Sequence, residues 1–156
     1  MNEKVAVLAG GPSCEREISL ISGRAVSEAL TARGFDTLFV DPAEDLIDRL
    51  RAWGTTVAFL ALHGSFGEDG TVQRTLDSAG ILYTGSSAEA SARTFDKSTA
   101  QRLFKAEGLS VPAARILKRD MRIPNLRDPE FPLVVKPAAC GSSVGLSLVL
   151  SPKELA

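Results

Sequence analysis

The sequence predicts an α/β protein: a Rossmann-like open parallel sheet followed by an incomplete first lobe of a second, nucleotide-gripping domain. Two observations carry the first half of that expectation. Apolar runs too short for anything but strands recur at 5–9, 37–41, 56–62 and 81–85, and helix-length amphipathic segments separate them. The runs are continuous and not alternating, as in strands buried on both faces of a parallel sheet. The second half rests on a change of character after about residue 93. There the chain turns helical, then proline-rich, then into two short apolar strands around a glycine–serine turn.

The elements follow in order. VAVLA (5–9) is a strand ending in Gly10-Gly11. A helix within 15–33 comes next, its inner face expected at Ile18, Ile21, Ala25, Ala29 and Leu30, with Gly34 placed to stop it. TLFVD (37–41) is the second strand. The segment 41–54 is a helix with Pro42 near its start and Gly54 at its end. TVAFLAL (56–62) is the third strand, closed by His63-Gly64. VQRTLDSA (72–79) is a short helix and ILYTG (81–85) the fourth strand. Residues 87–108 are mostly helical, with Asp96 able to cap a new segment. ARILK (114–118) is a candidate strand, and 120–132, with three of the eight prolines, a surface connection. FPLVVKPA and GLSLVL are strands joined by ACGSSV, and SPKELA (151–156) opens a helix. The expected division is 1–93 and 94–156. The second piece is too small to bury a core of its own, so a fragment, or reliance on the first domain or a partner, is expected.

Composition excludes several classes. With 18 Lys+Arg against 19 Asp+Glu the net charge is −1, and no basic stripe offers itself to nucleic acid. Two cysteines, Cys14 and Cys140, and one histidine make neither a disulfide framework nor a zinc pattern. The opening apolar run is too short for a signal peptide, and no run of about 20 apolar residues exists to span a membrane. A cytoplasmic location is expected.

Four segments can carry chemistry. GGPSCERE (10–17) joins a strand to a helix, where ligands of doubly wound sheets bind. Glu15 there either caps the helix through its dipole or receives an ammonium group. ALHGSFGEDG (61–70) has three glycines and two acids, with His63 at the strand end. It is either a sharp loop or a place where backbone approaches a ligand. In TFDKS (94–98), Lys97 opposes the helix dipole, a cost that a nearby anion offsets; otherwise it is a solvated lysine. In VVKPAACGSSVG, Lys136 lies in an apolar strand and Gly141 and Gly145 bracket Ser142 and Ser143. Small hydroxyls and backbone N–H groups in such a turn can hold phosphate oxygens, the alternative being an edge strand with a polar hairpin.

Taken together, GGPSCEREISL, ALHGSFGEDGTVQ, YTGSSAEASARTFDKS and PLVVKPAACGSSVG resemble the D-alanine–D-alanine ligases of the ATP-grasp superfamily, in order and in spacing, over nearly the whole chain. The resemblance implies ATP-dependent joining of two D-alanines for peptidoglycan synthesis, with ATP and Mg²⁺ as cofactors. It implies that Glu15 holds the amino group of the first D-alanine, that His63 lies near that substrate's carboxylate and that Ile18 lies near its methyl. Lys97 and Lys136 match lysines on the ATP phosphates, and Ser143 a further phosphate contact. Ser142 matches a serine that links to the Glu15 site and helps position a mobile loop. Phe95 stands where methionine is common, and Cys140 where an acid or larger residue is usual. Cys14 and Cys140 are expected close enough to make the site sensitive to oxidation. The family's Mg²⁺ ligands, an arginine, a loop tyrosine and the adenine-covering lobe match nothing up to Ala156. A polypeptide of these residues alone is therefore expected to be an inactive N-terminal portion that binds ATP weakly. The family also implies a possible homodimer through the first domain. Two other readings are a short ligase-like binding or interaction module and a ligase with another acceptor, such as D-lactate.

Overall fold

The computed structural model describes residues 3–118 and 131–155. The chain divides into two units, Met1–Phe95 and Asp96–Ala156. The break falls two residues beyond the expected one, at the foot of a helix capped by Asp96.

In the first unit, β1 (Lys4–Leu8), β2 (Asp36–Val40), β3 (Val57–Leu60) and β4 (Leu82–Tyr83) form one sheet in the order β2-β1-β3-β4. Every pairing is parallel, with Leu8 opposite Val40 on one side and Leu60 on the other. Because side chains alternate along a strand, each central strand feeds two cores. Ala6, Leu8, Val40 and Ala58 meet Leu46 and Leu50 of α2 (Leu46–Trp53) and Val72 and Leu76 of α3 (Thr71–Ala79). Val7, Ala9 and Ala61 face the other way, against Val26 and Leu30 of α1 (Arg16–Ala32). The sheet is thus covered on both faces, which is why its strands read as unbroken apolar runs. α4 (Ala88–Phe95) completes the unit.

Three local expectations change. The inner face of α1 is not the isoleucine face: Ile18 is 60% exposed and Ile21 64%, and Ala25 and Ala29 are exposed too. The buried positions are Ser19 and Gly23, with Val26 and Leu30 partly covered one and two turns on. The reason is distance. A Cβ on Gly23 would stand 2.3 Å from the Cβ of Ala9 and 3.0 Å from the Phe39 ring. The helix lies so close to the sheet that only small residues fit beneath it. Pro42 does not open α2; the helix starts four residues later, at Leu46, and ends as expected on Gly54 in a left-handed conformation. Finally, 114–118 form no strand.

In the second unit, α5 (Lys97–Ala106) precedes an antiparallel pair, β5 (Leu133–Val135) and β6 (Ser147–Val149), and a 3₁₀ turn at Pro152–Leu155 in place of the expected α-helix start. Most of the expected proline-rich connection lies outside the described residues. β5 ends one residue before Lys136, which is exposed. The anticipated cost of placing that charge inside an apolar strand therefore does not arise. Among the described residues, no helix is long and apolar enough to cross a membrane.

The close approach of α1 yields a direct expectation. Gly23→Ala should force the helix off Ala9 and destabilise the first unit by about 1–3 kcal/mol, as overpacking does. Urea unfolding followed by tryptophan fluorescence measures it. An unchanged midpoint would contradict the packing.

Candidate functional site

A sheet ordered β2-β1-β3-β4 reverses its direction of growth between β1 and β3. Ligands of open α/β sheets bind outside the carboxyl ends of the strands at that point. The two connections that leave there are residues 9–15 and 61–70, the segments that carry Glu15 and His63.

The two loops are locked to each other. Ser19, fully buried on the first turn of α1, accepts a hydrogen bond from the Gly10 N–H (2.8 Å) and donates one to the Ala61 carbonyl (2.7 Å). One hydroxyl thus joins the exit of β1 to the exit of β3, using its single proton and an acceptor lone pair. One turn further along α1, Ser22 Oγ lies 3.3 Å from His63 Nε2. Asp41, just past the end of β2, accepts from the Gly11 N–H (2.9 Å) and forms an ion pair with Arg16.

Glu15 occupies the N-cap position of α1, but its side chain makes no capping hydrogen bond. It is 9% exposed, and its carboxylate lies against the β3 loop. A Cβ on Gly64 would sit 2.7 Å from Glu15 Oε2 and 2.9 Å from Ser13 Oγ. Gly64 has a φ of 69°, so absence of a side chain serves both the turn and the approach. The Ser13 hydroxyl accepts the Glu15 N–H at 3.0 Å. The Glu15 side chain thus makes no capping hydrogen bond, although its place at the N-cap keeps its charge at the favourable end of the helix dipole. Ile18, on the same helix, is exposed on the first turn.

The acids of the 61–70 loop turn out to hold the loop itself. Glu68 accepts the Gly64 N–H (2.6 Å), and Asp69 accepts those of Phe66 and Thr71 (2.9 Å each). Partial burial pushes the Asp69 carboxyl up, but the Phe66 and Thr71 donors and nearby Arg74 outweigh it and leave it below its ordinary value. Phe66 itself has a φ of 72°, a conformation few non-glycine residues adopt.

The second unit holds Lys97, Lys136, Ser142 and Ser143. Asp96 caps α5, taking the Ser98 hydroxyl (2.6 Å) and the Thr99 N–H (2.7 Å) on one oxygen. Lys97, the first residue of that helix, sends its ammonium to the carbonyls of Cys140 (2.5 Å) and Ala138 (3.5 Å), and its N–H to Ala138 (2.9 Å). It is neither a solvated surface lysine nor a charge aimed only at a ligand: it ties down the glycine–serine turn. Within that turn Ser142 and Ser143 have φ of 49° and 58°, and Gly145 of 71°. Two consecutive non-glycine residues in the left-handed region are costly and persist only where the surrounding structure holds them. Lys136 stands at its mouth, just after β5. Cys14 is exposed and Cys140 half-buried, in different units.

Serines 13, 19 and 22 and Asp41 escape sequence reasoning. A serine inside a helix ordinarily reads as solvated, and only the missing apolar residue at positions 19 and 23 of the buried face hints otherwise. Among the described residues, no cluster of three His, Cys, Asp or Glu could hold a metal ion.

The first unit is thus a doubly wound domain with a carboxylate and an imidazole at its switch point, and the second carries a lysine-tethered glycine–serine turn. That is the class of an α/β protein with a Rossmann-like sheet and polar loops gathered at its switch point. Comparison with known proteins narrows it. Residues 40–86 match the family described as the D-ala D-ala ligase N-terminus. The chain is 46% identical over 154 residues to the D-alanine–D-alanine ligase of Syntrophotalea carbinolica, covering 99% of itself and 50% of that protein. It superposes on the crystal structure of the D-alanine–D-alanine ligase from Bacillus anthracis with a TM-score of 0.84 at 35% identity, covering 98% of itself and 51% of that chain. The same enzyme complexed with ATP gives 0.82 at 33%, with coverages of 98% and 52%. The chain matches the N-terminal portion of the D-alanine–D-alanine ligase family, and it spans about half the length of the relatives it matches.

The cap on α5 has a pH signature. The Ser98 hydroxyl first, then the Thr99 backbone and side chain, hold the Asp96 carboxyl below its ordinary value. A depressed folded value means the contribution is complete above the unfolded carboxylate range and is lost as pH falls below about 4. Asp96→Ala should cost about 1 kcal/mol at neutral pH. Its deficit against the parent should shrink on acidification, read as thermal midpoints by circular dichroism. A deficit constant from pH 7 to pH 3 would contradict the cap.

Proposed function

We propose that this chain supplies the amino-acid-binding and phosphate-holding parts of a D-alanine–D-alanine ligase. In that reaction ATP phosphorylates the carboxylate of one D-alanine, the amine of a second attacks the acyl phosphate, and phosphate leaves from the tetrahedral intermediate. The observation that carries the reading is the buried Glu15 carboxylate packed on Gly64 beside His63 at the β1/β3 switch point. A carboxylate and an imidazole suit the two ends of a small zwitterion. Glu15 takes the ammonium group, His63 the carboxylate, and Ile18 borders the methyl group.

In the second unit Lys136, Lys97 and the hydroxyl and N–H groups of Ser142 and Ser143 are the phosphate-binding set. An ammonium has three donors, and Lys97 uses two on the turn carbonyls, which leaves one for a phosphate oxygen. The similarity to the Bacillus anthracis ligase complexed with ATP supports a nucleotide as the phosphate source. Mg²⁺ belongs to the chemistry of phosphoryl transfer, where it neutralises developing charge. The described residues gather no ligand set for it, and the roles above are those of this chain's own side chains.

Titration of the ¹⁵N-labelled chain with D-alanine checks the amino-acid site. Amide shifts should concentrate in residues 10–19 and 61–70 and at His63, with L-alanine much less effective. Glu15→Gln should weaken the response about tenfold or more, the value of a charge-assisted hydrogen bond. An equal response in the variant, or shifts confined to other regions, would refute the assignment.

A further inference from the structure

His63 is the one histidine of the chain, and its partner is a residue the reaction reading leaves out. A neutral imidazole carries its proton on one nitrogen and accepts on the other, and the hydrogen bond made by one nitrogen decides what the other presents. Ser22 Oγ lies 3.3 Å from Nε2, and among the described residues neither side chain makes another hydrogen bond. Two arrangements satisfy that distance. If Nε2–H donates to the hydroxyl, the Ser22 proton has no acceptor and Nδ1 presents a lone pair. If the hydroxyl donates to Nε2, its proton is satisfied and Nδ1 carries the hydrogen. Each arrangement uses one donor within the pair; only the second leaves the ring a donor, Nδ1–H, to offer to a ligand.

We infer that Ser22 is a positioning residue: it sets His63 in the Nδ1–H tautomer and thereby makes the imidazole a donor toward a carboxylate. The helix geometry equips it for this. Ser19 and Ser22 stand one turn apart on α1, so the same helix face that pins Ala61 through Ser19 reaches His63 two residues on. The backbone is held by the first serine and the ring by the second. The closeness that makes this possible comes from Gly23, the next residue, beneath which the helix meets Ala9.

The choice of this tautomer rests on the proposed function, because a carboxylate ligand is what favours a donor on the second nitrogen. A neutral ring showing a lone pair to a carboxylate would repel it, whereas an N–H binds it. With only one histidine, long-range ¹H–¹⁵N correlation spectra read its two nitrogens without ambiguity. The wild-type chain, at a pH where the ring is neutral, should show a protonated Nδ1 and an unprotonated Nε2. Ser22→Ala should shift the population toward Nε2–H, and Ser22→Thr, which keeps the hydroxyl, should restore Nδ1–H. D-Alanine affinity should fall about fivefold in Ser22→Ala, one neutral hydrogen bond's worth, and recover in Ser22→Thr.

A wild-type ring already in the Nε2–H form, or a tautomer indifferent to Ser22→Ala, would overturn the inference. Should the tautomer respond as expected while D-alanine leaves the His63 signals of the wild type untouched, the positioning of the ring stands and the amino-acid reading of the site falls. Loss of affinity in both variants with an unchanged tautomer would mean that Ser22 acts only on the packing of α1, which also overturns it.

Discussion

One buried hydroxyl holds the first unit's site together. Ser19 bonds at once to the Gly10 N–H and the Ala61 carbonyl, the two backbone groups at which β1 and β3 leave the sheet. Neither group has a strand partner at that point, because the parallel ladder is ending. A buried amide or carbonyl left without a partner costs about 1–3 kcal/mol, so the bridge holds the loops as well as their spacing. Glu15 and His63 inherit their positions from it. The first lies four residues before Ser19 on the chain and the second two residues after Ala61.

The rest of the site is built on the same economy of size. Gly23 lets α1 descend onto Ala9, and Gly64 lets the β3 loop close on the Glu15 carboxylate. The acids of the 61–70 loop direct their oxygens to the loop's own N–H groups, so its shape is set before any ligand arrives. In the second unit Lys97 plays the equivalent part, gripping two carbonyls of the glycine–serine turn while Asp96 caps the helix from which it projects. Preorganised groups of this sort bind without first having to order themselves.

The strands of the sheet are legible in the sequence because burial on both faces leaves a clear trace: continuous apolar runs at 5–9 and 56–62, punctuated by glycine. The Asp96 cap is legible for a similar reason, since an aspartate three residues before Thr99 can serve its N–H. The inner face of α1 is not. Hydrophobic periodicity points to Ile18 and Ile21, but steric closeness overrides it, and the buried positions carry a serine and a glycine. Lys136 misleads for want of a single residue: β5 stops at Val135. For the site, Glu15, His63 and the glycine–serine turn stand out as charged or small residues at strand ends. Ser19, Ser22 and Asp41 do not, because their importance lies in partners 9 to 42 positions away along the chain.

Amide hydrogen exchange at Gly10 probes the central bridge most directly. The account predicts strong protection of that N–H in the wild-type chain, although it lies beyond the last residue of β1, and loss of most of it in Ser19→Ala, with the D-alanine response of His63 lost alongside. Rapid exchange at Gly10 in the wild type, or a Ser19→Ala chain that keeps both the protection and the response, would contradict it.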